Sequence, residues 1–179
     1  MLDKILNIQK SELDELSFDD VKNVSSWFHQ PPGQEHYRLL SFISYLFKKQ
    51  TLLDIGTYQG NSAVALASNP KNKVISYDIE TNIIIEKPNI EYRIGNVMDD
   101  INLVLSSPFI LLDTFHNGDF EQDFVYFLLD IKYEGMLMLD DIYLNKPMKK
   151  FWNKIKLEKY DLTSLGHFTG TGLVIFKYA

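Results

Sequence analysis

The sequence predicts a single α/β domain in which a mainly parallel, doubly wound sheet carries helices on both faces. Three observations lead to this prediction. Short apolar runs alternate with segments of helical periodicity along most of the chain, which is typical of parallel strands joined by right-handed crossovers. The 179 residues suffice for one core and not for two. Hydrophobic residues make up 45% and charged residues 23% of the chain, which is typical of a globular domain and disfavours disorder or a coiled coil.

The chain divides at the helix-breaking sequence Pro31-Pro32-Gly33. We expect one domain over residues 1–179, in which residues 1–34 form a helical appendage and residues 35–179 form the core. The core begins with an amphipathic helix over 35–48, where apolar side chains recur at mostly helical spacing.

Five buried strands are predicted to follow, because short apolar runs recur between turn-forming segments. They lie at 52–56, 73–78, 90–95, 109–113 and 136–140. Helices are predicted at 61–68, with Asn61 as the cap, and at 97–105, 120–131 and 148–155. Two closing strands near 158–163 and 172–178 have no long helix between them, so we expect them to be antiparallel. Residues 79–89 leave little room for a crossover helix.

Composition excludes several classes of function. The formal net charge of -6 repels phosphate backbones, so no nucleic-acid partner is expected. The absence of cysteine excludes disulfides, thiolate metal sites and a cysteine nucleophile. The longest uncharged run, 101–112, is too short to span a membrane, and the amino terminus lacks the pattern of a signal peptide. We therefore expect a soluble cytoplasmic protein with no membrane partner.

Five aspartates lie in or directly after the predicted strands, near their carboxyl ends. They are Asp54, Asp78, Asp113, Asp140 and Asp141. Ligands of open α/β sheets bind at this edge. A carboxylate at the end of an apolar strand must be solvated, hydrogen-bonded or bound to a ligand. This edge is therefore the predicted site.

The first turn of the predicted sheet has the layout of a nucleoside site. Gly56 and Gly60 bracket the turn from strand to helix, and Asp78 follows Asp54 by 24 residues, where an acid can hold a ribose diol. Taken singly, the glycines fit any tight turn and Asp78 fits a simple cap, whereas their combination favours a nucleoside. Tyr58 replaces the middle glycine of the dinucleotide motif, which disfavours a nicotinamide oxidoreductase.

The ordered segments LLDIGTYQGNSAVALA, VISYDI and IGNVMDD resemble the cofactor motifs of class I S-adenosylmethionine-dependent methyltransferases. The resemblance covers roughly residues 35–178 and implies a Rossmann-like methyltransferase sheet with S-adenosylmethionine as the cofactor. It implies a methionine and ribose region lined by Asp54, Gly56 and Gly60, a ribose diol held by Asp78, and an adenine edge near Asn96. The family often has Asp at the last of these positions, so Asn96 is a departure.

A metal site is predicted where Asp113, Asp140 and Asp141 converge, because the strands that carry them are neighbours in this fold. Converging carboxylates repel one another unless a cation separates them. Carboxylate ligands favour Mg²⁺ first and Mn²⁺ or Ca²⁺ after it. The alternative is that Asp141 caps the next helix and Asp140 faces water.

His116 follows Asp113 by three residues and could accept a proton near neutral pH.

The set Asp113-x-x-His116 followed by Asp140-Asp141 resembles metal-dependent O-methyltransferases that act on sugars or vicinal diols. The resemblance implies a metal bound by the three aspartates and a general base at His116. Catechol methyltransferases, a sister group, carry Asp-Asn where this sequence has Asp140-Asp141, and they fit less well. The remaining histidines are assigned structural roles: His29, His36 and His167.

We therefore expect an S-adenosylmethionine-dependent, Mg²⁺-assisted O-methyltransferase that methylates a hydroxyl of a sugar or other small diol, in a small-molecule or glycan substrate. Two alternatives stay open. One is a metal-independent class I methyltransferase, and the other is a nucleoside-binding or interaction protein that has the fold without the catalysis. Substrate specificity is expected to come from residues 1–34, from the loop at 142–147, or from a second copy of the chain in a homo-oligomer.

Overall fold

The computed structural model describes residues 1–16, 24–80 and 82–178. In these ranges seven strands form one sheet, in the order β3-β2-β1-β4-β5-β7-β6. The strands are Thr51–Ile55 (β1), Lys73–Asp78 (β2), Ile90–Ile94 (β3), Phe109–Leu112 (β4), Gly135–Asp140 (β5), Glu158–Asp161 (β6) and Thr171–Phe176 (β7). Strands β1 to β5 run parallel, and β7 pairs antiparallel with β5 and β6. The predicted mainly parallel sheet with an antiparallel last strand is confirmed.

Helices surround this sheet. Those in the described ranges are Leu2–Asn7 (α1), Lys10–Asp14 (α2), Ser26–His29 (α3), Gln34–Leu46 (α4), Asn61–Leu66 (α5), Ile101–Ser106 (α6), Asp119–Asp130 (α7) and Lys146–Lys154 (α8). The longest of them, α4, has 13 residues, and none combines the length and apolar character that crossing a bilayer requires. In residues 79–80 and 82–89, between β2 and β3, there is no helix.

A hydrophobic layer lies on each face of the sheet. Phe109 and Leu111 of β4 pack into one layer, while Ile110 and Leu112 pack into the other, because successive side chains of a strand point to opposite faces. All four are buried. A strand buried on both faces is a continuous apolar run in the sequence, and this explains why β4 could be predicted without a turn motif inside it.

The start of α5 differs from the prediction. Its cap is Gly60, in the left-handed region at φ 98°, and not Asn61. The Asn61 side chain instead contacts the segment before α3, where it accepts a hydrogen bond from the Ser25 backbone N–H and donates one to the Ser25 hydroxyl, both at 3.2 Å. The prediction of Asn61 as the cap is therefore wrong, because a tertiary contact uses its amide.

The predicted helix at 97–105 is divided in two. A 3-10 helix at Val97–Asp99 precedes α6, and Asp100 separates them. The Asp100 carboxylate caps α6 by accepting a hydrogen bond of 3.3 Å from the Leu103 backbone N–H. Asn96 lies two residues after the end of β3 and caps the 3-10 helix.

The described parts of residues 1–34 form helices that pack on the core. Ile5, Leu13 and Phe28 are buried in the same hydrophobic layer as α4. Residues 17–23 of the expected appendage lie outside the described residues. The first helices thus contribute apolar side chains to the layer that holds α4 against the sheet.

Candidate active site

A cavity of about 660 Å³ opens at the carboxyl ends of β1, β2 and β4. This volume is within the range of small-molecule sites. Its wall includes Gly56, Asp78 and Asn96 from the predicted cofactor site and Asp113 from the predicted metal site. One cavity therefore borders both halves of the site predicted from the sequence.

The turn after β1 is shaped by the predicted glycines. Gly56 has φ 89°, and a Cβ at this position would lie 1.7 Å from the backbone oxygen of Asp113. A Cβ at Gly60 would lie 2.7 Å from the Tyr92 hydroxyl oxygen. Glycine is required at both positions by the protein's own close contacts as well as by positive φ. Gly56 lines the cavity, whereas Gly60 begins the helix beside it.

Asp78 lies in the cavity wall with its carboxylate held in place by the backbone. Its Oδ2 accepts a hydrogen bond from the Tyr58 N–H and its Oδ1 accepts one from the Ile79 N–H, both at 2.7 Å. Oδ1 also accepts a longer hydrogen bond of 3.3 Å from the Glu80 N–H, so the lone pair that stays free for a further donor, such as a hydroxyl of a diol, lies on Oδ2. Asn96, also in the wall, accepts a hydrogen bond of 3.1 Å from the Met98 N–H.

Asp54 is fully buried on β1. Its Oδ2 accepts a hydrogen bond of 2.6 Å from the Ser76 hydroxyl, whereas its Oδ1 has no hydrogen-bond partner among the described residues. Burial raises the pKa of Asp54 to about 6, although hydrogen bonding to Ser76 opposes the shift. The structure thus keeps an ionisable group within the sheet directly below the turn that Gly56 begins.

The predicted metal and base residues meet beside the cavity. His116 Nε2 lies 3.2 Å from Asp113 Oδ1 and 3.6 Å from Asp141 Oδ2. Asp140 and Asp141 are buried, so Asp140 does not face water, in contrast to the alternative to a metal site. Asp141 does not cap the next helix either, because the cap of α8 is Asn145, whose Oδ1 accepts a hydrogen bond of 2.9 Å from Met148 N–H.

The backbone is strained at two of these residues. His116 has φ 54° and Asp141 has φ 58°, values that side chains other than glycine rarely adopt. Such outliers are concentrated at active sites and ligand clamps, where the surrounding structure holds them. Both outliers direct their side chains to the same ion-pair cluster.

Two further histidines, for which structural roles were expected, also lie in the cluster. His36, in the first turn of α4, has its Nδ1 3.5 Å from Asp140 Oδ1. His167, in the loop between β6 and β7, has its Nδ1 3.2 Å from Asp141 Oδ1 and 3.6 Å from Asp140 Oδ2. The Thr169 hydroxyl contacts both His167 and Asp141. Three imidazoles therefore lie among the three predicted carboxylates.

The charges of the cluster are strongly coupled. Burial and the charge of Asp140 raise the pKa of Asp113. Burial would also raise the pKa of Asp140, but the adjacent histidines, His36 first, lower it. Burial lowers the pKa of His167, yet its contacts with Asp140 and Asp141 raise it to about 10. Within the cluster, the charged form is therefore favoured at Asp140 and His167 and disfavoured at Asp113.

Several buried atoms of the cluster have no hydrogen-bond partner among the described residues. They are both ring nitrogens of His36, Nε2 of His116 and Oδ1 of Asp140. Buried polar atoms are normally paired with protein, water or an ion. The donor atoms of His36, Asp113 and Asp140 lie within 4.8 Å of one another, as do those of His116, Asp140 and Asp141. These residues therefore fit a bound divalent cation in both donor chemistry and spacing.

A buried carboxylate that the sequence analysis missed orders the loop that carries His116. Glu121 of α7, which is 1% exposed, accepts hydrogen bonds from the Thr114 hydroxyl at 2.9 Å and from the backbone N–H groups of His116 at 3.0 Å and Gly118 at 2.9 Å. The sequence signal is partial, because a Glu three residues after a helix cap is one half of the capping-box pattern and Gly118 lacks the cap side chain that forms the other half. Asn145 donates a further hydrogen bond of 2.7 Å to the His116 carbonyl.

Comparison with known proteins gives matches in structure only. No family model matches the chain, and no curated protein matches it in sequence. Cofactor-bound Rv0187 from MTB is 15% identical, with a TM-score of 0.59 over 99% of this chain and 90% of that chain. The SAH-bound methyltransferase PaMTH1 of Podospora anserina is 14% identical, with a TM-score of 0.59 over 94% of this chain and 93% of that chain.

A third similar structure is the O-methyltransferase from Bacillus cereus in complex with SAH. It is 15% identical to this chain, with a TM-score of 0.57 over 98% of this chain and 90% of that chain. At sequence identities this low, the structural match shows a shared architecture and not a shared function. The chain therefore shares the Rossmann-like fold of these methyltransferase structures.

Proposed function

We propose that the protein transfers a methyl group from S-adenosylmethionine to a hydroxyl of a sugar or other small diol, with the help of a divalent cation. The observation that carries the proposal is the single cavity that borders Asp78 on one side and Asp113 on the other. Methyl transfer requires donor and acceptor to be held at contact distance. A cavity whose wall includes both a diol-binding carboxylate and Asp113, one residue of the cation-binding cluster, meets that requirement.

The cofactor half of the proposal rests on Asp78, Gly56 and Asn96. Backbone N–H groups fix both oxygens of Asp78, so the carboxylate is oriented before a ribose diol arrives. Gly56 has no side chain to fill the cavity at the turn, and Asn96 offers an amide at the β3 edge. The SAH bound to the structural neighbours from Podospora anserina and Bacillus cereus supports this choice of cofactor.

The chemical half rests on the cluster of aspartates and histidines. When bound, the cofactor supplies an activated methyl group and the cation lowers the pKa of a substrate hydroxyl. Asp113, Asp140 and Asp141 would hold the cation, and Asp140 belongs to both groups of donor atoms that lie within 4.8 Å of one another. His116 would remove the hydroxyl proton, and Asp113, whose Oδ1 lies 3.2 Å from Nε2, would stabilise the resulting imidazolium. Glu121 keeps the His116 backbone in place during this transfer.

The diol specificity follows from the number of protein donors. A cation of this kind takes six or more ligands, and the three aspartates leave positions that two neighbouring hydroxyls of one substrate can fill. The exposed Phe115, in the cavity wall, and the exposed Phe168, next to His167, offer apolar surface to the rest of the substrate.

A thermal-shift panel tests the cofactor assignment. The protein is mixed with S-adenosylmethionine, S-adenosylhomocysteine (SAH) or NAD, each with and without Mg²⁺. We expect both S-adenosyl compounds to raise the melting temperature and NAD to leave it unchanged, because Tyr58 replaces the glycine that a pyrophosphate needs. Stabilisation by NAD alone would contradict the proposal.

Methyl transfer from labelled S-adenosylmethionine to a panel of sugars and small diols tests the reaction. We expect product with a divalent cation and none in excess chelator. Transfer that continues unchanged in chelator points to the metal-independent alternative. Tight SAH binding without transfer to any acceptor points to a binding protein that has the fold without the catalysis.

A further inference from the structure

His36 is the most buried histidine of the cluster. It is 4% exposed, and neither of its ring nitrogens has a hydrogen-bond partner in the described part of the chain. A histidine kept in a core for structural reasons normally donates from one nitrogen and accepts at the other. An imidazole with both nitrogens unpaired is poorly explained by packing alone.

The surroundings of His36 are those of a ligand. Its Nδ1 lies 3.5 Å from Asp140 Oδ1, an oxygen that is also buried and unpaired among the described residues. The donor atoms of His36, Asp113 and Asp140 all lie within 4.8 Å of one another, a span that one ion closes with small side-chain movements. An ion at this point would pair the unpaired nitrogen and oxygen together.

The other histidines of the cluster have different environments. His167 Nδ1 is already engaged, since it lies 2.9 Å from the Thr169 hydroxyl and 3.2 Å from Asp141 Oδ1. His116 is less buried than His36, with 15% of its side chain exposed against 5%. One ring nitrogen of His116, Nε2, is also buried and unpaired in the described part of the chain, whereas in His36 both nitrogens are. His36 is therefore the imidazole that the geometry assigns to the ion.

We propose that the resident cation of this protein is a first-row transition metal such as Mn²⁺, Fe²⁺, Co²⁺ or Zn²⁺, and that His36 is its nitrogen ligand beside Asp113 and Asp140. This inference rests on the cation of the proposed function and is independent of methyl transfer. Imidazole binds transition ions well, whereas Mg²⁺ prefers oxygen ligands and water. Mg²⁺ was expected first because only carboxylates were considered as ligands. His36 was not considered with them, since it lies 77 residues before Asp113, the first of the three aspartates.

Helix α4 gives the nitrogen ligand a fixed position. His36 lies in its first turn, where the backbone N–H donates a hydrogen bond of 3.1 Å to the Gly33 carbonyl. The side chains of Leu39, Leu40 and Ile43 bury the same helix in the hydrophobic layer. A ligand on a rigid helix holds coordination geometry better than one on a loop, and metal binding should therefore stabilise the attachment of α4 to the sheet.

The experiment uses the full chain with MnCl₂ alone, without cofactor or methyl acceptor. Pulsed electron paramagnetic resonance detects ¹⁴N coupling when a nitrogen ligand is bound to Mn²⁺. We expect nitrogen coupling in the wild type and in His29→Gln, whose side chain is exposed outside the cluster, and its loss in His36→Gln. The matched variants His116→Gln and His167→Gln should keep the coupling.

Calorimetry with Mg²⁺, Mn²⁺ and Co²⁺ gives a second readout. We expect the wild type to bind Mn²⁺ and Co²⁺ at least tenfold more tightly than Mg²⁺, and His36→Gln to lose most of this preference. Mn²⁺ bound with no nitrogen coupling in the wild type, coupling that persists in His36→Gln, or no binding of any ion at millimolar concentration overturns the inference. If His36→Gln does not fold, loss of coupling in His116→Gln or His167→Gln decides against His36.

The two proposals fail separately. A protein that is stabilised by SAH but binds Mn²⁺ through oxygen alone retains the proposed function and loses this inference. A protein that shows nitrogen coupling but neither binds SAH nor transfers a methyl group retains the metal site and loses the proposed function.

Discussion

The buried carboxylate of Glu121 accepts a hydrogen bond of 3.0 Å from the backbone N–H of His116. The same oxygen accepts the Thr114 hydroxyl, and the second oxygen accepts the Gly118 N–H. One side chain on a helix thus determines the path of the loop between β4 and α7. Since His116 has a left-handed backbone at φ 54°, the loop needs such an anchor to keep that conformation.

Replacing Glu121 tests this anchor. Glu121→Ala leaves buried N–H groups of the loop without an acceptor, which should lower the free energy of unfolding by about 1–3 kcal/mol. In the proposed enzyme, turnover should fall while SAH affinity stays close to the wild-type value, because Glu121 does not line the cavity. Chemical denaturation and SAH calorimetry measure the two effects. Glu121→Gln, which keeps an acceptor oxygen, should recover part of both, and equal losses in the two variants would contradict the anchoring role.

Asp78 is the residue on which the cofactor assignment depends most. Asp78→Ala should weaken SAH binding by about 1.5–3 kcal/mol, because it removes a charge-assisted contact to the ribose diol. Isothermal titration calorimetry measures the change. Asp123→Ala, an exposed substitution on α7 with the same change of charge, is the control and should bind normally. Unchanged affinity in a folded Asp78→Ala protein would remove the ribose assignment.

His116→Ala should separate binding from chemistry. If His116 is the base, turnover should fall about 10² to 10⁴-fold while cofactor and cation affinities stay nearly intact. Burial lowers the pKa of His116, but the hydrogen bond and charge of Asp113 raise it above its ordinary value. The wild-type rate should therefore fall as the pH drops through a value above 6.5, where the imidazole becomes protonated. Normal turnover in the variant, or an unchanged acidic limb in its pH profile, would exclude the base role.

Asp54 should make stability depend on pH in a direction opposite to that of most carboxylates. Its pKa is about 6 in the folded protein against an ordinary 3.8, so between these values the folded state binds a proton that the unfolded state has lost. Below pH 4 this difference in pKa adds about 3 kcal/mol to the free energy of unfolding, and the added stability is lost as the pH rises through 6.

Comparison with Asp54→Asn isolates this contribution, because the variant has no proton to lose. The free energy of unfolding of the wild type, measured relative to the variant, should decrease between pH 4 and pH 7. Denaturant unfolding at several pH values checks it. A constant difference across that range would show that Asp54 titrates normally.

The strands could be predicted from the sequence because their signal is local. Each run of β1, β2, β4 and β5 is apolar and short, and the carboxylates that follow mark the edge where ligands bind. The three aspartates and His116 were predicted to meet for this reason, and the structure places them together.

The rest of the site depends on contacts between distant segments. His36 comes from a helix that precedes β1, and no motif relates it to Asp140. Its one sequence signal is its position four residues before Leu40 and seven before Ile43, which places a polar side chain in a buried apolar stripe. His167 lies in a loop whose position depends on the antiparallel pairing of β7 with β5. Neither fact follows from spacing along the chain.

The contact between Gly56 and the backbone oxygen of Asp113 limits how this site can be engineered. A side chain at position 56 would enter the space of that oxygen, 1.7 Å from the added Cβ, and would move the β4 end that carries the proposed metal ligand. Libraries that randomise position 56 should therefore return glycine alone among functional clones. Variation of substrate range is better sought at Phe115 and Phe168, which are 72% and 65% exposed and can change without disturbing the sheet.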